Sequence, residues 1–167
     1  MPTLEVTAGL AEPFAYGRCF HEHLYPASPA AGANFSLALV SEYETRLRAI
    51  LFTLVTDGNA ANRAVTVDYA DNAGRVVCSN GFGAVVVAST TQVCCGKAAL
   101  GVSDFAAGTT VFFPIEPLFL DGGHAIQINV ASKQAGDQLS AIVLTVERFR
   151  TGKAGYESGE LDVFGRR

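Results

Sequence analysis

From residue 43 onward, short apolar runs are separated by clusters of turn-forming residues, and the runs repeat with the period of strands. TRLRAILFTLVT (Thr45 to Thr56) is apolar on both faces through its middle, which predicts a central strand covered on two sides. RAVTVDYA alternates, with Val65, Val67 and Tyr69 on one side and Thr66 and Asp68 on the other, as a half-exposed strand does. ADNAGR supplies turn residues before RVVCS, and SNGFG supplies them again before AVVVASTTQVCC. After GKAALGVSDFAAG comes TTVFFPIEPLFLD, whose Pro114 and Pro117 keep it away from the centre of a sheet. Asp121 to Gly123 then turns the chain into HAIQINVA, with Ile126, Ile128 and Val130 on one face and Gln127 and Asn129 on the other. SKQAGDQ links this to LSAIVLTVERF, whose inner face is Ile142, Leu144 and Val146.

About seven or eight strands within ~110 residues, with turn signals at short intervals, predict an all-β fold: an antiparallel β-sandwich, jelly roll in type. Residues 1–35 carry Pro13, Pro26, Pro29 and the small-residue run PASPAAGAN without a sustained period, and read as an extended N-terminal arm holding at most one short strand. The sandwich is expected over 36–150. TGKAGYESGELDVFGRR, residues 151–167, is rich in glycine and charge and reads as a flexible C-terminal tail.

Composition narrows what such a sandwich can do. In 167 residues, 49% are hydrophobic and only 17% charged, against about 25% charged in an average soluble domain. So little charge leaves part of the surface to be covered by other protein. A net charge of −4 with scattered basic residues argues against nucleic acid, whose phosphates require clustered Lys and Arg. No run approaches the ~20 apolar residues of a membrane helix, and MPTLEVTAGLAEPF has neither the basic start nor the apolar stretch of a signal peptide. Neither a nucleic-acid nor a membrane partner is expected, and synthesis is expected in the cytoplasm. Cys19, Cys78, Cys94 and Cys95 match no zinc or redox spacing, and the adjacent pair must point to opposite faces of a strand. All four are expected as reduced, mostly buried small hydrophobic residues.

Candidate chemistry is sparse. TDGNAANR groups Asp57, Asn59, Asn62 and Arg63 between two strands, where a turn accounts for them through side-chain hydrogen bonds and left-handed backbone. On that reading Asn62→Ala or Arg63→Ala costs about 1 kcal/mol or less, unless the side chain caps buried backbone. His21-Glu22-His23 has the alternate-histidine spacing of cupin metal strands, but Tyr25, Pro26 and Ala27 stand where a cupin glutamate is expected, so neither metal nor cofactor is assigned. No nucleophile elbow or phosphate loop occurs, and Asp137 reads as a turn residue. No residue is assigned as catalytic, and the chain is not expected to be an enzyme.

An apolar strand ends in Thr56-x-x-x-x-Ala61-Asn62-Arg63 and leads to a valine-rich alternating strand; later, Gly123-x-x-Ile126 is followed by the turn Ala135-Gly136-Asp137-Gln138 and by Ile142-x-Leu144-x-Val146. Over roughly Arg46 to Phe149 this layout resembles the decoration, or cement, proteins of tailed-bacteriophage heads. The resemblance implies a jelly roll or similar sandwich that sits on the outer surface of the virion capsid, made in the host cytoplasm. Its partner would be the major capsid protein, whose neighbouring subunits it would hold together as a homo-oligomer. Aromatic side chains dominate interface energy, so Phe14, Tyr16, Phe20 and Tyr25 of the arm are the expected capsid contacts. The alternatives are a head fibre or receptor-binding sandwich, with Asp57, Asn59, Asn62 and Arg63 in a loop that holds host glycan or protein, and a cupin-like metal protein built on His21 and His23.

Overall fold

A computed structural model describes residues 19–99 and 110–150. Within them the chain forms β1 (Cys19–Leu24), β2 (Phe35–Ala38), β3 (Tyr43–Val55), β4 (Arg63–Ala70), β5 (Val76–Val86), β6 (Thr91–Lys97), β7 (Thr110–Pro114), β8 (Phe119–Leu120), β9 (Ala125–Ala131) and β10 (Gln138–Arg150). No helix occurs among the described residues. A six-stranded sheet runs β1-β10-β3-β6-β7, with the two residues of β8 pairing on β3, and a four-stranded sheet runs β2-β9-β4-β5. β7 and β8 are additions between β6 and β9. Without them, the first sheet alternates the start and end of the chain as β1-β10-β3-β6 and the second does the same as β2-β9-β4-β5. That is the strand order of a jelly roll, in which a long hairpin wraps into two packed sheets. All pairings are antiparallel except β6 with β7, which is parallel.

The core lies between the sheets and follows the alternation. Val65, Val67 and Tyr69 of β4 and Ile126, Ile128 and Val130 of β9 meet Leu47, Ile50, Phe52 and Leu54 of β3 and Ile142, Leu144 and Val146 of β10. Phe35 closes one side, and Cys94 with Phe113 the other. Tyr69 is fully buried, and its hydroxyl donates to the Glu116 carbonyl at 2.8 Å. Burial raises its pKa and keeps the phenol neutral. The four cysteines are free thiols. Cys94 faces the core, where burial pushes its pKa up to about 12, and Cys95 lies on the opposite face.

Three expectations are changed by the structure. β3 is central in its sheet but is not covered on both sides: Leu51 is 40% and Val55 38% exposed. Its double-sided apolar look comes from these two exposed side chains together with a register shift against β10, which turns both Leu47 and Ile50 inward across two intervening residues. SNGFG is not a turn between strands. β5 runs straight through it, and between Ala64 and Thr66 of β4 the partner advances from Val85 to Gly81, so the glycines serve a wide bulge, with Gly83 at φ 67°. Finally, the strand allowed for within residues 1–35 is β1, which pairs with β10 over its whole length and forms one edge of the six-stranded sheet. Phe35, at 4% exposure, is also part of the core. The sandwich therefore starts at or before Cys19, and not at residue 36.

Candidate functional site

At one end of the sandwich the loops β3–β4, β5–β6 and β9–β10 converge on a buried ion pair. Arg63 and Asp137 are 0% and 1% exposed. Arg63 Nε donates to Asp137 Oδ2 at 2.9 Å and Nη2 to Oδ1 at 3.0 Å, a two-point grip on one carboxylate. Nη2 also donates to Asp57 Oδ1 at 2.6 Å, and Nη1 donates to the carbonyls of Asn59 and Ala61, each at 2.8 Å. A guanidinium has five N–H donors. Each has an acceptor here.

Asp137 is as fully used. Oδ1 also accepts the Asp57 amide at 2.9 Å and Oδ2 the Gln134 amide at 2.8 Å, while its carbonyl accepts the Gly32 amide at 2.7 Å. Beside it, Thr56 Oγ1 donates to the Val87 carbonyl at 2.7 Å and accepts the Thr90 amide at 2.8 Å, and the Ser89 amide reaches the Asp57 carbonyl at 2.8 Å. These bonds tie loops that are far apart in sequence, and they leave the buried charges no capacity for a ligand.

Of the four residues singled out in TDGNAANR, Arg63 thus faces inward. Asp57 is half-buried and spends its carboxylate on Arg63 and on Asn59, whose Nδ2 lies 2.7 Å away. Asn59 and Asn62 are exposed. Arg63 is nevertheless expensive to replace, because its fully buried guanidinium is the partner of the buried Asp137 carboxylate as well as the donor to the Asn59 and Ala61 carbonyls. Asp137, read from sequence as a turn residue, is its counter-ion.

Burial alone would raise the Asp137 carboxyl, but the Arg63 hydrogen bonds, the amides of Gln134 and Asp57 and the guanidinium charge more than offset this and hold it below the usual range. A carboxyl with a folded pKa below its unfolded value of about 3.9 contributes stability that is complete above that value and is lost as pH falls through the folded one. Asp71, lowered chiefly by its hydrogen bond from Arg75, acts in the same sense. Resistance to urea is expected to be level above about pH 5 and to decline below about pH 4. The stability gap between wild type and Asp137→Asn should narrow along that decline, which urea titrations at a series of pH values would measure.

In the six-stranded sheet the β1 side chains alternate: Cys19, His21 and His23 lie on the outer face, and Phe20, Glu22 and Leu24 on the face that Val146 and Leu144 of β10 turn to the core. Phe20 is 41% exposed and its ring meets Tyr43 edge-on at 5.5 Å; Tyr25 is 74% exposed. Phe14 and Tyr16 lie outside the described residues. His21 and His23 share a face as expected: His21 Nε2 is 3.8 Å from Glu147 Oε1, and His23 Nδ1 is 3.1 Å from Thr145 Oγ1. Glu22 points the other way and pairs with Arg148 at 2.8 Å, so the cupin-like triplet does not converge. Arg46 reaches Glu147 Oε2 at 3.4 Å while lying over the Phe119 ring at 4.1 Å, and Arg48 Nε is 3.5 Å from Glu147 Oε1.

No family model and no curated protein matches the chain. Solved structures with some likeness include one of infectious bursal disease virus Gx strain, at 13% identity over 82% of this chain and 34% of that one, TM-score 0.36. A crystal structure of the T13 particle of the same virus gives 14% identity over 82% of this chain and 32% of that one, TM-score 0.37. The chain spans about a third of the length of these solved chains. TM-scores this low carry no argument, and the jelly-roll assignment rests on the strand order itself.

Proposed function

We propose that this chain is a structural virion protein, without enzymatic activity, that binds the outside of an assembled phage capsid as a homo-oligomer and cements neighbouring major capsid subunits. The observation that carries this reading is the amount of apolar surface left open. Leu51, Val55 and Phe119 are 40%, 38% and 53% exposed on the outer face of the six-stranded sheet, and Val76, Val77, Val85 and Val87 are 53–54% exposed on and just beyond β5, an edge of the other sheet. No charged residue occurs in 76–96. A free protein normally guards a long edge strand with charge or proline, and large apolar patches mark protein contacts. The polar loops at the end of the sandwich spend their charged groups on one another, which favours a mechanical over a catalytic role. Clamping works by multiplicity: each copy adds contacts that are lost only when the lattice separates, and many weak contacts then act together.

Particles lacking the protein are the test. A ligand of the assembled state raises the temperature at which that state fails. Particles without the protein are expected to assemble and to release DNA at a lower temperature than complete ones, with the difference restored saturably by added protein. Identical melting, alongside a defect in host attachment, would overturn the cement reading in favour of a receptor-binding sandwich.

A further inference from the structure

We propose that Cys19, His21 and Glu147 form a binding site for a divalent transition-metal ion of the zinc type, on the outer face of the β1–β10 pair. Antiparallel register places His21 directly opposite Glu147, and Cys19, two residues earlier in β1, lies on the same face. The thiol, imidazole and carboxylate donor atoms all lie within 4.8 Å of one another. In a tetrahedral site with bonds of about 2.0–2.3 Å, ligand atoms stand roughly 3.5 Å apart, so small side-chain rotations close the set. Thiolate with imidazole selects zinc or cobalt over calcium or magnesium.

The surroundings fit three protein ligands with solvent at the remaining position. Glu147 is the floor, its side chain 12% exposed, and His21 is the open rim at 66%. Arg46 holds Glu147 Oε2 and is itself held over the rings of Phe119 and Phe149 at 4.1 and 5.9 Å, so the carboxylate is oriented with Oε1 turned towards His21. Arg48, beside Oε1, opposes a cation. Binding displaces the Cys19 proton to solvent as the S–metal bond forms. The bound ion would staple β1, which among the described strands pairs with β10 alone, to the sheet. The proposed set differs from the cupin-like triplet: Glu22 faces away and pairs with Arg148, and the acid comes from β10.

Titration of the reduced, chelator-stripped full-length protein with cobalt(II) tests this. The expected result is roughly one equivalent bound, with a near-ultraviolet thiolate-to-cobalt charge-transfer band that zinc removes. Cys19→Ser should abolish the band, and His21→Ala, at an exposed position, should weaken binding by at least about tenfold. Arg48→Gln should tighten it by removing the neighbouring positive charge. Absence of the band in wild type, its persistence in Cys19→Ser, or undiminished binding by His21→Ala in protein of unchanged circular dichroism would overturn the proposal.

Discussion

Replacing Asp137 by alanine is expected to cost about 3–5 kcal/mol of folding stability, because it strips a buried guanidinium of the fully buried one of its two counter-ions and leaves only the half-buried Asp57. Arg63 stays out of water in this variant, since the fold places it there, and two of its five donors lose their acceptor. The amides of Asp57 and Gln134 lose theirs as well. Unsatisfied buried donors cost their full desolvation, which is why loss of one partner hurts far more than the pair stabilises. For a chain of this size the melting temperature should drop by about 10 °C. Asp137→Asn should fall between, because an amide keeps one oxygen but cannot accept both prongs of the guanidinium. Asn59→Ala and Asn62→Ala, at exposed positions, should stay within about 1 kcal/mol of wild type. Urea denaturation of the four variants would separate a structural lock from a ligand loop. Near-wild-type stability of Asp137→Ala would refute the lock, and loss of all function in a stable Asn59→Ala or Asn62→Ala would restore the loop as a binding site.

This lock shows where the sequence was readable and where it was not. Alternation identified the inner faces of β4 and β9 correctly, since both strands are free of bulges over that length, although β4 is not the half-exposed strand expected: Asp68, on its outer face, is 6% exposed. The same alternation contained a clue to Arg63: positions 63, 65, 67 and 69 share one face, so an arginine in phase with Val65, Val67 and Tyr69 starts on the core side. Asp137 is likewise in phase with the buried Leu139. What no local pattern contains is that the two meet, because the contact depends on β9 lying next to β4, which is a property of the jelly-roll wrapping. Bulges defeated the reading elsewhere. A bulge in β5 uses the same glycines as a turn, and a bulge in β3 disguises one buried face as two. The one short strand allowed for in residues 1–35 could not be placed from periodicity, because CFHEHL, on a sheet edge with no residue buried, has nothing to alternate between.

The position of β1 also sets how the proposed capsid arm should be tested. Deleting residues 1–18 is expected to abolish decoration of capsids while leaving the fold intact, since the ten strands of the described residues lie beyond residue 18. That truncation removes Phe14 and Tyr16 and retains Phe20 and Tyr25, so it divides the four aromatic side chains expected at the contact. A cut at residue 35 would confuse two effects. It also removes β1, exposing the paired edge of β10, takes away Glu22 from Arg148, and deletes Phe35 from the core. Loss of a single large buried aromatic side chain typically costs about 3–5 kcal/mol, so failure of the longer truncation to bind would report unfolding as readily as a missing contact. The shorter variant should melt within about 2 °C of the full chain, a shift corresponding to less than about 1 kcal/mol, and co-sedimentation with undecorated particles should fall to background. If it instead decorates particles at full occupancy, the contact moves off residues 1–18 and onto what the sandwich itself exposes, with Leu51 and Phe119 on the open sheet face as the next positions to replace by charge.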